Sequence, residues 1–351
     1  MQEAGRDSDD ILDRSNLPTI GITMGDAAGI GPEITLKALS DQNLCKICRP
    51  VVIGDLAFLQ KTAGDLQLSI ELSEFGTIPT VTEGQVFVVD LANLTSEIAI
   101  GQESADAGRA AGQYIETAVE LWRQGRIDAI ATAPISKRSL HMGGYDYPGH
   151  TEFLAELTET ERFAMSFFAE DLRVVLLSTH ISLSEAISRV KTEELANLIV
   201  FSDKQLSRLL NRKVRLAVAG LNPHASEGGM FGSEEAFEIT PAIERCREQY
   251  GIDVSGPFSP DTIFLRGFRG EFDAVVACYH DQATIAVKSL SFGSSVNVTL
   301  GLPLIRTSVD HGTAFDISGK GIADPSSMKA AIKLAAELAA AGGRVTEAAN
   351  I

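Results

Sequence analysis

An α/β fold is what this sequence predicts, and three observations predict it. Short apolar runs bounded by glycine or proline alternate with longer amphipathic stretches. The polar, histidine-bearing clusters fall just after the apolar runs, where open α/β sheets collect ligands. Hydrophobic residues make up 44% of 351, with 31 glycines, which is material for roughly two domains or one large unit. The elements follow in order. Strands are expected at 19–23, 51–54, 85–89, 129–132, 174–178, 214–219, 274–277 and 296–299, each an apolar run with flanking turn residues. Helices are expected at 33–39, opened by Pro32-Glu33, and at 106–123, 151–157, 183–189, 193–210 and 239–249. A last helix, 326–341, is rich in Ala, Leu and Lys and stops at Gly342-Gly343.

Charge narrows the function. Lys and Arg number 30 against 47 Asp and Glu, a formal charge of −17. Nucleic-acid binding draws on basic charge, so that class is excluded, whereas a small anion needs only a local basic pocket. No run approaches the ~18 apolar residues of a membrane span, and no apolar leader follows a basic start. Residues 1–16 are polar and acidic and read as a flexible tail, and a cytoplasmic location is expected. The four cysteines are too few and scattered for a disulfide scaffold. Cys45 and Cys48 form a C-x-x-C just before Pro50 and an apolar strand, which suits two small, partly buried residues better than a redox pair or zinc ribbon.

The first strand ends in MGDAAGIGPEI, where Gly25, Gly29 and Gly31 permit close backbone approach. No Gly-Lys-Ser/Thr follows, and the third glycine of a Rossmann fingerprint is missing. His180 (LLSTHIS), His224 (GLNPHASEGG) and His280 (ACYHDQ) each follow an expected strand, and His150 (YPGHTEF) precedes an expected helix. One such histidine is usually a half-buried, satisfied side chain. Three at equivalent strand ends suit a divalent metal such as zinc with an open position. Asp281 beside His280 is a further ligand, an orienting partner or a general base. Lys288, Asn297 and Arg306 then bring two cations and an amide into one region, a set suited to phosphate or carboxylate.

The motifs ITMGDAAGIGPE, YPGHTEFLAEL, STHISL, LNPHASEGGMFGSEE, GPFSPDTIF, YHDQ and VNVTLGLPLIRTSVDHGTAFDISGKG, in this order, resemble the 4-hydroxythreonine-4-phosphate dehydrogenase family over 17–328. VDHGTAFDISGKGIADP is also similar to the dinucleotide loop of isocitrate and isopropylmalate dehydrogenases. The resemblance implies their two-domain α/β fold, with 17–132 plus 305–351 as one domain and 133–304 as the other, the latter carrying metal and substrate residues and a homodimer interface. Active sites would lie in the interdomain cleft and be shared between subunits. His180, His224 and His280 match metal ligands (Zn, or Mg, Mn, Co or Ni). His150, Thr151, Lys288, Asn297 and Arg306 match substrate contacts, and His311, Gly312, Ala314 and Asp316 the NAD loop. Asp316 or Asp324 near the adenosine ribose would favour NAD over NADP.

The resemblance implies NAD- and metal-dependent oxidation and decarboxylation of a 4-phosphorylated 3-hydroxy acid, with a place in pyridoxine biosynthesis or carbohydrate metabolism. Asp281 and Lys288 are the candidates for base and acid. The ITMGD start and AFDISGKGIA ending resemble the branch acting on D-threonate or D-erythronate 4-phosphate. Alternatives are a terephthalate-type cis-dihydrodiol dehydrogenase and, in another class, a non-catalytic binding protein. Ala27, Ala133 and Ala283-Thr284-Ile285 depart from the family's usual residues and are expected to flank the substrate pocket.

Overall fold

A computed structural model of the chain describes residues 17–76, 85–94, 97–291 and 293–342. The tail read at 1–16 and the Gly343 stop lie outside them. The first elements are β1 (Thr19–Thr23), α1 (Gly31–Leu39), β2 (Arg49–Gly54), α2 (Leu56–Asp65), β3 (Glu71–Glu74), β4 (Gln85–Asp90), α3 (Ala105–Arg123), β5 (Ala129–Thr132), α4 (Lys137–Met142) and α5 (His150–Leu157). There follow β6 (Ala164–Ala169), β7 (Leu172–Leu176), α6 (Leu183–Ser188), α7 (Thr192–Leu210), β8 (Leu216–Ala219), α8 (Thr240–Tyr250), β9 (Val254–Phe258), α9 (Ile263–Phe268), β10 (Ala274–Ala277), α10 (His280–Leu290), β11 (Val296–Leu300), β12 (Ile305–Ser308) and α11 (Ser326–Gly342).

The twelve strands of the described residues join one sheet in the order β3-β4-β2-β1-β5-β12-β11-β6-β7-β10-β8-β9. Pairing is parallel except where β11 meets β12 and β6, and where β6 meets β7. Residues 17–132 with 305–342 supply one run of six strands and 133–304 the other, meeting at the β12–β11 seam. α4 lies in the second range but packs on α3. That contact is close because α3 presents glycine: a Cβ on Gly108 would lie 1.7 Å from the Ser139 carbonyl oxygen. Every residue of β1, β5, β8 and β10 is buried, as expected of parallel strands covered on both faces.

Four strands escaped the sequence reading for visible reasons. ELSE (β3) has no apolar alternation, β9 contains Gly256-Pro257, and the charge of Arg306 interrupts β12. AMSFFA (β6) is an apolar run that the reading passed over. α2, α4, α9 and α10 were also missed; α4 and α9 are only six residues long. The strand expected at 174–178 ends at Leu176, which leaves Ser178 to His180 in the following loop. Cys45 and Cys48 are both buried, and Cys48 Sγ donates to the Leu44 carbonyl at 3.4 Å. Burial, with the neighbouring Cys45, pushes the Cys48 thiol up to about 12, so this pair is packing rather than an activated thiolate. Among the described residues no helix is long and apolar enough to cross a membrane.

Candidate active site

A cavity of about 830 Å³ opens at the seam of the sheet. Pro134 and Lys137 reach it from the end of β5 and the start of α4, and His150 and Thr151 from the first turn of α5. Asn297 comes from β11, Arg306 and Ser308 from β12, His180 from the loop after β7, and His311 and Gly312 from the loop after β12.

Arg306 is the centre of this site. Only 3% of it is exposed, yet it has no carboxylate partner among the described residues. Its Nη1 donates to Thr299 Oγ1 at 3.2 Å and its Nη2 to Thr132 Oγ1 at 2.9 Å, while Nε has no partner. Burial pushes the guanidinium down to about 10, partly countered by the negative charge of Glu152. It therefore stays a cation at neutral pH, desolvated and held by two hydroxyls. The imidazole of His150 is held well below its ordinary range by burial and by the Arg306 charge, so it is neutral. His150 Nε2 is buried without a partner, as is Asn297 Oδ1. A half-turn of that amide presents its Nδ2 donors instead. Buried polar atoms without partners are uncommon, and here three elements aim them around one cavity. The site is built for an anion.

The three histidines expected from sequence to bind a metal are brought together only in part. The rings of His180 and His280 lie 5.5 Å apart by their centroids, and Asp281 Oδ1 is 3.3 Å from His280 Nδ1. Gln282 holds this corner: its Oε1 accepts from the Cys278 N–H at 2.7 Å and its Nε2 donates to the Gly220 carbonyl at 2.8 Å. His224 sits apart, exposed, on a turn whose residues His224, Ala225, Ser226 and Glu227 all have positive φ. Left-handed backbone costs on the order of 1 kcal/mol per non-glycine residue. The buried Glu235 supports this turn by accepting from the N–H groups of Leu221 and Asn222 at 2.8 and 2.7 Å. Among the described residues no three His, Cys, Asp or Glu side chains are grouped closely enough to hold a metal ion. His180 and His280 thus fit half of a metal site.

The loop 311–324 docks on the first turn of the fold. Ile30 N–H donates to the Thr313 carbonyl at 3.0 Å, and a Cβ on Gly29 would lie 2.9 Å from Thr313 Cβ. Ala314 has a φ of +43°. His311 and Gly312 line the cavity beside Arg306, an arrangement that fits the reactive end of a dinucleotide. Asp316 is exposed and does not line the Arg306 cavity. Asp324 caps α11, accepting from Ser326 N–H at 2.9 Å and Ser326 Oγ at 2.7 Å, which occupies it with the helix.

Comparison with known proteins decides the family. The sequence model described as "Pyridoxal phosphate biosynthetic protein PdxA" matches residues 46–335. This chain belongs to the PdxA family. It is 47% identical over 327 residues to D-threonate 4-phosphate dehydrogenase of Cupriavidus necator, covering 92% of this chain and 98% of that protein. It is 46% identical to 4-hydroxythreonine-4-phosphate dehydrogenase of Desulforapulum autotrophicum, covering 92% and 95%. The crystal structure of 4-hydroxythreonine-4-phosphate dehydrogenase from Klebsiella pneumoniae superposes with a TM-score of 0.85 at 41% identity, over 92% of this chain and 99% of that one.

Within this PdxA chain several site residues were not legible from motifs. Thr132 and Thr299 hold Arg306, Lys137 reaches the cavity, and Gln282 and Glu235 fix the histidine loops. Thr132 ends an expected strand and Lys137 follows it, which was the available signal. Lys288 is exposed on α10, and neither it nor Asp281 lines the cavity of its own chain. Ala133 and Ala283 are fully buried packing residues, Thr284 is buried, Ile285 is 67% exposed, and none of the four lines the Arg306 cavity. Ala27 borders a different cavity.

Proposed function

We propose that this chain is an NAD-dependent dehydrogenase that oxidises and decarboxylates a 4-phosphorylated 3-hydroxy acid at the Arg306 cavity. The observation that carries this reading is the buried, carboxylate-free Arg306 flanked by the unpartnered His150 Nε2 and Asn297 Oδ1. A desolvated guanidinium fork is suited to a phosphate or carboxylate, and water is largely excluded around it. His150, being neutral, can donate to an anion without adding charge. Thr151 and Lys137 lie on the same walls and suit the rest of a substrate that is anionic at both ends.

In the reaction, hydride leaves the alcohol carbon for NAD, the hydroxyl proton goes to a base, the 3-keto acid releases CO2, and an acid protonates the remaining carbon. Asp281 and Lys288 are assigned these proton roles. As they lie off their own chain's cavity, they would act in a site completed by a second copy. Exposed apolar side chains on and beside the histidine-bearing segments support such a homodimer: Leu183 is 58% exposed, Met230 and Phe237 75%, and Ile285 67%. His180 and His280 of one copy with His224 of another would hold a divalent metal, zinc or Mg, Mn, Co or Ni. Bound there, the metal supplies a Lewis acid for the oxygen being oxidised. The two six-strand halves of the sheet are proposed as the two domains of an isocitrate dehydrogenase-like fold, with the cleft between them.

D-Threonate or D-erythronate 4-phosphate is placed slightly ahead of 4-hydroxythreonine 4-phosphate on the motif endings. The test is NAD reduction across both classes of 4-phospho acid and a terephthalate-type dihydrodiol, each with several metals. Coupled NADH and CO2 from a phosphate ester supports the reading; NADH from the dihydrodiol alone overturns it.

A further inference from the structure

We propose that Lys137 holds the substrate carboxylate that leaves as CO2, with the phosphate at Arg306, an inference that rests on the reaction proposed above. The lysine and arginine side chains bordering the reaction cavity are Lys137, Arg189 and Arg306. Arg189 is already paired, its Nε 2.8 Å from Glu194 Oε2. Arg306 is buried and held by two hydroxyls. Lys137 is exposed, and its ammonium has no hydrogen-bond or ion-pair partner among the described residues. The backbone that presents it is clamped. Ser136 caps α4 by accepting from the Ser139 N–H at 3.1 Å, and the Asp26 N–H donates to the Pro134 carbonyl at 3.0 Å. Gly25 permits that second contact, since a Cβ there would collide with the same carbonyl oxygen. With α4 also packed on α3, the lysine stem starts from a rigid base while its ammonium is free to meet a ligand.

The two anionic ends of the substrate need different things. A phosphate has several oxygens to satisfy, and the buried part of the cavity offers Arg306 Nε, His150 Nε2 and the Asn297 amide, the groups left without partners. A carboxylate that departs as CO2 needs the opposite. Its charge moves onto the remaining carbon and oxygen as the C–C bond breaks, so a tight ion pair would stabilise the reactant more than the transition state. One hydrated ammonium on a flexible stem orients such a group while solvent screens the pair. Being exposed, Lys137 also marks a solvent-open part of the cavity, from which CO2 can escape. Two acids border the same cavity, Glu185 on α6 and Glu152 on α5. Glu152 is the neighbour of the lysine: a Cβ on Gly149 would lie 3.3 Å from Glu152 Oε2 and 3.8 Å from Lys137 Cε. Its charge also acts on Arg306. A lysine that merely offset Glu152 would lose its purpose once Glu152 is neutral, which separates that role from carboxylate binding.

The experiment is calorimetric titration of D-erythronate 4-phosphate, erythritol 4-phosphate and inorganic phosphate into the intact protein and its variants. Erythritol 4-phosphate carries a CH2OH group in place of the carboxylate. The wild type is expected to bind the acid about tenfold or more tightly than the alcohol. Lys137→Met, at an exposed position that leaves the core undisturbed, is expected to bring the two within about threefold and to leave inorganic phosphate binding unchanged. Lys137→Arg, which keeps the charge, should retain most of the preference. In a Glu152→Gln background, Lys137→Met should still cut the preference by about threefold or more. A full acid preference in Lys137→Met overturns the proposal, as does a wild type without one. No further loss in the Glu152→Gln background overturns it too, making Lys137 a counter-charge for Glu152. Equal loss of acid, alcohol and inorganic phosphate in Lys137→Met overturns it by placing the lysine at the phosphate end. A wild type whose acid preference depends on Lys137, but which forms no NADH from any phospho acid, keeps this site and removes the proposed reaction. Wild-type turnover of a phospho acid, with an unchanged KM in Lys137→Met, removes the site and keeps the reaction.

Discussion

Replacing Arg306 by methionine should make the ligand-free protein slightly more stable while destroying its affinity for an acidic substrate. Burial lowers the guanidinium well below its ordinary range, to about 10, a penalty on the charged form of about 3 kcal/mol. Since the folded value lies below the unfolded one, the charged form is disfavoured in the folded chain. That penalty is complete at any pH below about 10 and fades only as pH rises from there toward the ordinary range of an arginine. Against it stand the hydrogen bonds to Thr132 and Thr299, worth about 1 kcal/mol apiece. The balance favours methionine, a flexible side chain that fills irregular space, by about 1 kcal/mol. Urea unfolding at pH 7 measures the stability, and steady-state kinetics measure KM. Phosphate or substrate should raise the unfolding midpoint of the wild type and not that of the variant. A ligand-free variant less stable by about 2 kcal/mol or more would make Arg306 a structural residue and refute the reasoning. Arg306→Lys, which keeps charge but loses the fork, should still raise KM strongly, and an unchanged value points the same way.

Three further outcomes are expected. His180→Ala, His224→Ala and His280→Ala should each lose tight metal binding and turnover while remaining folded; mixed His180→Ala and His224→Ala dimers should recover activity, because one of their two shared sites is intact, and mixtures as dead as the parents would place all three ligands in one chain. NAD should be preferred over NADP by about tenfold or more, roughly 1.4 kcal/mol, as read from kcat/KM for each, and equal values would contradict an acidic ribose contact. Burial tends to raise Asp273, but the Arg212 guanidinium at 2.8 Å and the Arg215 N–H at 2.7 Å bring it down to about 2; Asp273→Asn should therefore cost about 2 kcal/mol at pH 7, a difference that disappears as pH falls from about 4 toward 2, and equal urea midpoints at pH 7 would dispose of the network.

Much of the fold was legible because its signals are local. TIGIT, AIAT and AVVA are apolar runs that must be buried on both faces, and β1, β5 and β10 have the bounds those runs suggest. The histidines after β7, β8 and β10 could be picked out because a strand ends before each. By itself, then, the sequence determined the α/β alternation, the motif residues and, through resemblance, the family. Tertiary structure decided what those residues do to one another. Arg306 reads as an interruption of an apolar run, and only its burial against Thr132 and Thr299, from two neighbouring strands, makes it an uncompensated cation. Lys288 and Asn297 are close in sequence, yet α10 carries the lysine to the surface while β11 turns the amide into the cavity. Glu33 looks like an ordinary first-turn acid of a helix, and becomes a buried acceptor only because Ala323, 290 positions away, folds onto it. Burial, and the pKa shifts that follow from it, depend on which distant segments cover a group, and that information is spread over the whole chain rather than held at any one motif.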